Sequence, residues 1–174
     1  PLDLTPTSSV LTALSLADAL AITLLECRGF TSQDFAKSHP QGELGKRLLK
    51  KVENLMYTTK LPLIKNNILL KKAINIITTF NLGIAVIIDK NKKILGIFTD
   101  GDLRRTLDKK PDISKMLIFD LMTKRPVTIT RDTMAAEALN LMEEKEITSL
   151  LVVDEKNSLL GILTLNELIK SGIS

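Results

Sequence analysis

One stretch of the sequence combines a hydroxyl and a carboxylate at a spacing that suits phosphate and sugar binding. In Gly96-Ile97-Phe98-Thr99-Asp100-Gly101-Asp102-Leu103, an apolar run predicts a strand that stops at Phe98 and a helix that begins just after Thr99. The Thr99 hydroxyl would lie beside free backbone N–H groups at the positive end of that helix, which favours phosphate. Asp102 could accept hydrogen bonds from sugar hydroxyls. The same spacing also describes a helix-capping box, so both roles stay open.

A second copy of this pattern occurs later, as Gly161-Ile162-Leu163-Thr164-Leu165-Asn166-Glu167-Leu168. Thr164 takes the place of Thr99, and Glu167 takes the place of Asp102. A glutamate also caps a helix, but its longer side chain would reach differently toward a ribose.

His39 is the only histidine of the chain, and it lies in Ser38-His39-Pro40. Pro40 disfavours helical geometry at His39, which predicts a loop after a short helix. Imidazole titrates near neutrality and is therefore suited to proton transfer, and ordered loops often carry catalytic groups. A lone histidine is also commonly structural, so the residue type alone does not assign a role to His39.

The elements that must position these residues occur twice. The first set is an extended piece at 63–64, a helix at 70–80, strands at 84–88 and 94–98, and a helix at 100–107. The second set is an extended piece at 127–129, a helix at 132–144, strands at 149–153 and 159–163, and a helix at 165–171. Leu95-Gly96-Ile97 returns as Leu160-Gly161-Ile162, 65 positions further on. One such module is too small to bury both faces of its sheet, so we predict a pseudo-two-fold pair with a groove between the halves.

The first part of the chain does not follow the repeat. Residues 9–28 are mostly apolar helix formers, which predicts a helix buried against a sheet, capped by Ser8 or Ser9 and ended by Gly29. Cys27 is expected to pack in this helix as a small hydrophobic residue. Thr31 and Asp34 have capping-box spacing and start a short helix, and 43–50 predicts another. Because the chain starts at Pro1 with no strand ahead of the first helix, we expect it to be the later part of a longer protein.

Composition narrows the classes of function. Hydrophobic residues make up 44% of the chain, which allows a packed core, whereas aromatic residues make up 3%, which argues against single-stranded nucleic acid as a partner. The net charge of +4 comes mostly from scattered lysines, so no nucleic-acid partner is expected. One cysteine excludes an internal disulfide and suits a reducing compartment. No apolar run is expected to reach transmembrane length, and no signal peptide or metal site is expected, which together predict a cytoplasmic protein without a membrane partner.

The duplicated β-α-β-β-α pattern, the Leu-Met dipeptide opening each half, and the Gly-x-x-Thr-x-x-acid ending resemble a pair of CBS domains over about residues 52–174. Such pairs commonly bind adenosine compounds or other nucleotides in the groove between repeats and regulate an attached protein. The resemblance implies that Thr99 and Thr164 face phosphate and that Asp102 faces the ribose. Glu167 stands where the family usually has Asp or Asn.

The front of the chain is similar to the end of the sugar-isomerase (SIS) domain in arabinose-5-phosphate isomerases of the KpsF/GutQ type, where that domain runs directly into a CBS pair. The residues that carry this resemblance are Asp18-Ala19-Leu20-Ala21, Arg28-Gly29-Phe30-Thr31, Asp34-Phe35-Ala36, Ser38-His39-Pro40, Leu44-Gly45-Lys46-Arg47-Leu48 and Phe98–Arg105. Gln41 departs from the glycine that usually follows His-Pro. The resemblance implies that His39 is an active-site residue, whereas the family's catalytic lysine and glutamates and its phosphate loop would lie upstream. Thr7, Ser8 and Ser9 either line the sugar-phosphate pocket or cap the first helix.

The fold class expected from these observations is α/β (α+β), a tandem CBS pair preceded by the last helices of a Rossmann-like SIS domain. The predicted boundaries are 1–51 for the SIS part, 52–111 for the first CBS domain and 112–174 for the second. The resemblance implies a parent enzyme that interconverts D-arabinose 5-phosphate and D-ribulose 5-phosphate in 3-deoxy-manno-octulosonate and lipopolysaccharide synthesis. The resemblance also implies that this parent enzyme requires no cofactor for catalysis and forms a homo-oligomer such as a tetramer, and that a nucleotide or CMP-sugar is a candidate regulator. The chain by itself is expected to lack isomerase activity. The alternative is a stand-alone nucleotide-sensing or structural CBS module without catalysis.

Overall fold

The computed structural model describes residues 6–39, 45, 49–109 and 112–173. The chain divides into two compact units, Pro1–Leu48 and Leu49–Ser174. The second unit contains both copies of the repeat.

The first unit contains helix α1 (Ser8–Cys27) and helix α2 (Ser32–Ser38). The predicted cap of α1 by Ser8 or Ser9 is wrong, because both residues lie inside the helix and no side chain caps it. Gly29 follows α1 with φ +61, the left-handed conformation that glycine adopts readily at a helix end. The helix predicted at 43–50, together with Pro40, Gln41 and most of the Leu44–Leu48 motif, lies largely outside the described residues.

Helix α2 begins with the predicted capping box. The Thr31 hydroxyl accepts a hydrogen bond from the Asp34 backbone N–H at 3.2 Å, and the Asp34 carboxylate accepts one from the Thr31 backbone N–H at 3.1 Å. The Thr31 hydroxyl also donates to Asp34 Oδ2 at 2.7 Å. This bond is the main reason that the pKa of Asp34 lies below its ordinary value, and the bond from the Thr31 backbone N–H adds to it.

Helix α1 is long and apolar enough to cross a membrane, judged by length and composition, with a mean hydropathy of 1.8 over its 18-residue window. The expectation that no apolar run reaches this length is therefore wrong, because Asp18 and Glu26 are the only charged residues in α1. None of its residues is buried, and Cys27 is exposed rather than packed. Core helices of globular proteins and signal sequences share this length and composition, so the feature alone does not assign α1 to a membrane.

The first half of the second unit contains strand β1 (Leu63–Lys65), helix α3 (Leu70–Phe80), strands β2 (Ile84–Ile88) and β3 (Ile94–Thr99), and helix α4 (Asp100–Lys109). Strand β1 runs parallel to β2, and β3 runs antiparallel to β2. Strand β2 is buried along nearly its whole length, which explains why it reads as a continuous apolar run rather than an alternating one.

The connecting segment contains helix α5 (Ile118–Leu121) and strand β4 (Thr123–Lys124). The second half then contains strand β5 (Thr128–Thr130), helix α6 (Ala135–Glu144), strands β6 (Ser149–Val153) and β7 (Leu159–Thr164), and helix α7 (Leu165–Lys170). Helix α6 starts three residues later than predicted, because residues 131–134 form a turn and an extended entry into it. The sheet orders are β1-β2-β3-β4 and β5-β6-β7.

Each half completes its core with a segment that comes from elsewhere in the chain. Val52, which precedes the first half, is fully buried in the core of the second half. Tyr57 exchanges two backbone hydrogen bonds, of 2.7 and 3.0 Å, with Ile162 of β7. In the opposite direction, Ile118 is fully buried in the core of the first half, and β4 pairs with β3. The two cores therefore do not follow the order of the chain.

The structure reproduces the repeat residue by residue. The β2–β3 register Val86↔Ile97 returns 65 positions later as Leu151↔Ile162, and each hairpin has an irregularity at the same point. Among the described residues, the non-glycine positions with positive φ also form pairs 65 apart: Lys60 with Arg125, Asn81 with Glu146, and Lys92 with Asn157. The tandem fold class predicted from the sequence is confirmed.

The two halves meet through their sheets. Ile84 and Val86 of β2 pack with Leu151 of β6 and Ile162 of β7 in a shared cluster of fully buried residues. This cluster is built from β-branched and leucine side chains, as expected for a chain with few aromatic residues. Contact between the sheets brings the ends of β3 and β7 close to residues of the opposite half, where the candidate site lies.

Candidate functional site

Thr99 and Asp102 form a complete capping box at the start of α4. The Thr99 hydroxyl accepts a hydrogen bond from the Asp102 backbone N–H at 3.2 Å, and both the backbone N–H and the hydroxyl of Thr99 donate to Asp102 Oδ2 at 2.9 Å. Asp102 Oδ1 accepts from Thr123 Oγ1 at 3.2 Å and from the guanidinium of Arg105 at 2.7 Å. Asp102 is only 9% exposed. Both of its carboxylate oxygens therefore already have hydrogen-bond partners within the protein.

The second copy of the motif is only half of such a box. The Thr164 hydroxyl accepts from the Glu167 backbone N–H at 3.4 Å. The Glu167 carboxylate instead accepts a hydrogen bond from Lys170 at 3.0 Å on the helix surface. The extra methylene of glutamate carries its carboxylate away from the start of α7, so the two copies differ in where their acidic group lies.

A cleft of about 460 Å³, which we call the first cleft, lies at the start of α4. It receives Thr99 and Gly101 from the first half, Arg125 from the segment after β4, and Thr148 and Ser149 from the second half. Asp102 does not line the first cleft and borders a neighbouring depression with Arg105 and Asp120. The structure thus places one member of the predicted Thr99–Asp102 pair in the cleft between the halves and turns the other away from it.

A second cleft, of about 530 Å³, lies at the start of α7. Thr164 and Glu167 both line it, together with Tyr57 from the exchanged segment and Phe80 from the end of α3. Thr148 and Ser149 line this cleft as well as the first one, so the two clefts are neighbours. The structure therefore brings Thr99 and Thr164 to two adjacent clefts formed by residues of both halves.

Several residues that line the two clefts are not predicted from the sequence. Arg125 follows β4 in the left-handed conformation, with φ 55, at a position where neither glycine nor asparagine signals a turn. Tyr57 reaches the second cleft only because its segment crosses to the opposite half. Arg104 could have been anticipated, since it lies one helical turn after Asp100 on α4.

His39 lies in the other unit, at the C-terminal end of α2. Its backbone N–H donates to the Phe35 carbonyl at 2.9 Å, and its ring packs against the Phe35 ring at a centroid distance of 4.9 Å. The residue is exposed. Thr7, Ser8 and Ser9 are exposed too, at the start of α1. These residues present polar groups at the surface of the first unit without a built pocket around them in the described part of the chain.

Two aspartates elsewhere in the described residues accept hydrogen bonds that hold turns. The pKa of Asp154 is lowered mainly by the backbone N–H of Ser158, which donates to its carboxylate in the β6–β7 turn. The pKa of Asp112 is lowered by the Ser114 hydroxyl. No group of three or more His, Cys, Asp or Glu side chains that could hold a metal ion occurs within the described ranges.

Curated relatives align with almost the entire chain. Arabinose 5-phosphate isomerase KdsD of Escherichia coli (strain K12) is 45% identical over 174 residues, which is 99% of this chain and 53% of the relative. The KdsD protein of Pseudomonas aeruginosa is 46% identical over the same shares. The chain thus spans about half the length of these relatives, and the predicted resemblance to arabinose-5-phosphate isomerases is confirmed.

Solved structures match about 70% of the chain. An uncharacterized conserved protein from Pyrococcus horikoshii has a TM-score of 0.66 at 24% identity and covers 73% of this chain and 95% of its own. The structure of CBSX2 in complex with AMP has a TM-score of 0.60 at 25% identity, with 71% and 96% covered. The CBS domain pair of protein MJ0100, in complex with 5'-methylthioadenosine and S-adenosyl-L-methionine, has a TM-score of 0.64 at 23% identity, with 70% and 94% covered.

The sequence model of the CBS domain matches twice, over residues 52–109 and 118–173. Both matches fall within the second unit, whose two halves pair their strands in the same register. With two such matches over most of its length, the chain belongs to the CBS-domain family.

Proposed function

We propose that this chain is the C-terminal regulatory part of an arabinose-5-phosphate isomerase, and that its CBS pair binds a nucleotide or nucleotide-sugar regulator. The observation that carries the proposal is the 45% identity to KdsD over 99% of the chain. This alignment includes the first unit, which a CBS pair from an unrelated protein would not share. The parent enzyme would interconvert D-arabinose 5-phosphate and D-ribulose 5-phosphate in the cytoplasm, as part of a homo-oligomer.

The clefts support the binding part of this proposal. Each is large enough for a small ligand, and each has a threonine at the start of the helix that borders it. CBS pairs of the same fold have been solved with AMP and with S-adenosyl-L-methionine. Thr99 would contact phosphate in the first cleft, and Thr164 and Glu167 would contact the ligand of the second cleft. Asp102 would act through Thr99, since its own carboxylate is fully occupied.

His39 would contribute to the isomerase active site. Interconversion of an aldose and a ketose moves a proton between C1 and C2, and an imidazole ring can donate or accept that proton or assist ring opening. The ring is exposed at the end of α2, so it is accessible to groups supplied by the rest of such an enzyme. We expect the 174-residue chain to have no isomerase activity, and turnover of arabinose 5-phosphate by the purified chain would contradict this.

Titration calorimetry with AMP, ATP and CMP-sugars tests the binding proposal on the full chain. We expect saturable heat with at least one of them, together with shifts of the amide signals at Thr99 or Thr164 in NMR spectra. Thr99→Val and Thr164→Val form a matched pair of variants, each removing one hydroxyl from one cleft. If no ligand gives heat or shifts, the CBS pair has a structural role only. The hydrogen bonds that already occupy both carboxylate oxygens of Asp102 would agree with such a role.

A further inference from the structure

The two clefts differ most in the helix that borders each of them. The strands that lead into these helices are alike, with Leu95-Gly96-Ile97 matched by Leu160-Gly161-Ile162. The helix residues that line the clefts are not. Helix α4 contributes Asp100, Gly101, Arg104 and Arg105, whereas the corresponding positions of α7 hold Leu165, Asn166, Ile169 and Lys170. At these four positions the two copies therefore present different side chains to their clefts.

The first cleft is rich in arginine. Arg104 and Arg125 line it from different elements, and neither forms a salt bridge with any described residue. Arg105 is bound to Asp102, and its guanidinium also covers Gly101, where an added Cβ would lie 3.4 Å from Nη1. Two carboxylates, those of Asp100 and Glu146, line the same cleft. Asp102 already neutralises Arg105, so Arg104 and Arg125 equal these two carboxylates in number, and the start of α4 adds a partial positive charge.

The second cleft has the opposite character. Among the described residues that line it, the charged side chains are Glu167 and Lys170, and these neutralise each other at 3.0 Å. Much of the remaining lining is apolar or aromatic, with Tyr57, Phe80 and Ile169 as the large side chains. Ile169 is 55% exposed, so its apolar side chain is open to a ligand in this cleft.

We propose that the two clefts bind different classes of ligand, a deepening that rests on the proposed nucleotide-binding function. The first cleft binds a ligand with a chain of two or more phosphates, because Arg104 and Arg125 approach it from separate elements and guanidinium groups pair strongly with phosphate oxygens. The second cleft binds an uncharged nucleoside, whose base stacks on the aromatic side chains and whose hydroxyls reach the polar residues at the start of α7. Arg104 and its counterpart Ile169 set this difference.

A reciprocal exchange tests the assignment, using Arg104→Ile and Ile169→Arg in the full chain. Both side chains are exposed, so neither change disturbs the core. The chain is titrated with ATP, adenosine and inorganic pyrophosphate, and the amide signals of Gly101 and Asn166 report which cleft is occupied. We expect R104I to weaken ATP binding at the first cleft about tenfold or more while changing adenosine binding less than about twofold. I169R should strengthen ATP binding at the second cleft.

Each result separates this inference from the function on which it rests. If ATP binds and R104I leaves its affinity unchanged, the division of ligands is wrong and nucleotide binding stands. If pyrophosphate binds the first cleft through Arg104 and no nucleoside or nucleotide binds, the phosphate preference stands and the nucleotide proposal is wrong. If none of the three probes binds either cleft, both proposals are wrong.

Discussion

Replacing the acidic residue in each copy of the motif should have very different effects on stability. Asp102→Ala removes the acceptor for four hydrogen bonds, from the Thr99 N–H and hydroxyl, the Thr123 hydroxyl and the Arg105 guanidinium. Glu167→Ala removes one ion pair, with Lys170, whose side chain is 63% exposed. The two positions are 65 residues apart and equivalent in the repeat, so each variant is the control for the other.

The expected loss of stability depends on how deeply each acidic side chain is buried. Loss of a capping acceptor costs about 1 kcal/mol. The Thr99 and Thr123 donors would also lose their partner in a nearly buried place, which adds about 1–3 kcal/mol. The Arg105 side chain is 67% exposed and can return to water, so its bond contributes little. We therefore expect Asp102→Ala to lower the free energy of unfolding by about 2–4 kcal/mol. Glu167→Ala should lower it by about 0.5 kcal/mol or less, because its ion pair is exposed.

Urea denaturation followed by circular dichroism measures both differences, provided that the slope of free energy against urea is unchanged. Asp102→Asn, which keeps one acceptor oxygen, should fall between Asp102→Ala and the unaltered chain. Equal losses for Asp102→Ala and Glu167→Ala would refute the reasoning, since they would show that the hydrogen bonds around Asp102 contribute no more than a surface ion pair.

Three other measurements test the fold. Val52→Ala removes two buried methyl groups and should lower the free energy of unfolding by about 1.5–2.5 kcal/mol, with faster amide exchange in β6 and β7 than in β2. Gly96→Ala places a Cβ 2.6 Å from the Thr123 carbonyl oxygen, so β4 must separate from β3, and urea denaturation should show a loss of about 1–3 kcal/mol. Carboxyl NMR should give Asp154 a pKa below 3.8, because the Ser158 N–H favours its charged form. The stability that this turn contributes is present above the ordinary pKa and is lost as the pH falls through the lowered one.

Specific results would contradict each of these expectations. Faster exchange confined to the first half in Val52→Ala would show that Val52 does not support the core of the second half. Unchanged stability in Gly96→Ala would mean that β4 does not approach β3 closely. An Asp154 titration at or above 3.8 would mean that the β6–β7 turn does not hold the carboxylate in solution.

Much of the second unit can be predicted from the sequence, because strands and helices there alternate with clear hydrophobic periods and the repeat checks each element against its copy. The strands at 84–88 and 149–153 match the structure residue for residue. The hydrophobic pattern does not predict which core a short segment packs into. Val52 and Ile118 look like local openings of their own halves, yet each is buried in the other half, since the apolar residues of a short segment do not specify which core they enter.

The candidate site can be predicted only in part, because residue spacing does not determine where side chains point. The spacing of Thr99 and Asp102 fits a ligand site and a capping box equally, and the decision depends on side-chain orientation, which the chain sets through Thr123 and Arg105. Arg125 enters the first cleft from a left-handed position that carries no turn-forming residue. Cys27 and the apolar faces of α1 were expected to pack, but the described residues of the first unit place nothing over them.

The exchange of core segments between the halves also constrains how such a chain could arise. A single copy of the repeat would lack the residue that its core needs in the place of Val52 or Ile118, and would have to obtain it from a second molecule. Two molecules with one copy each would have to exchange their leading segments to complete both cores. Joining the two copies in one chain supplies both segments within a single molecule.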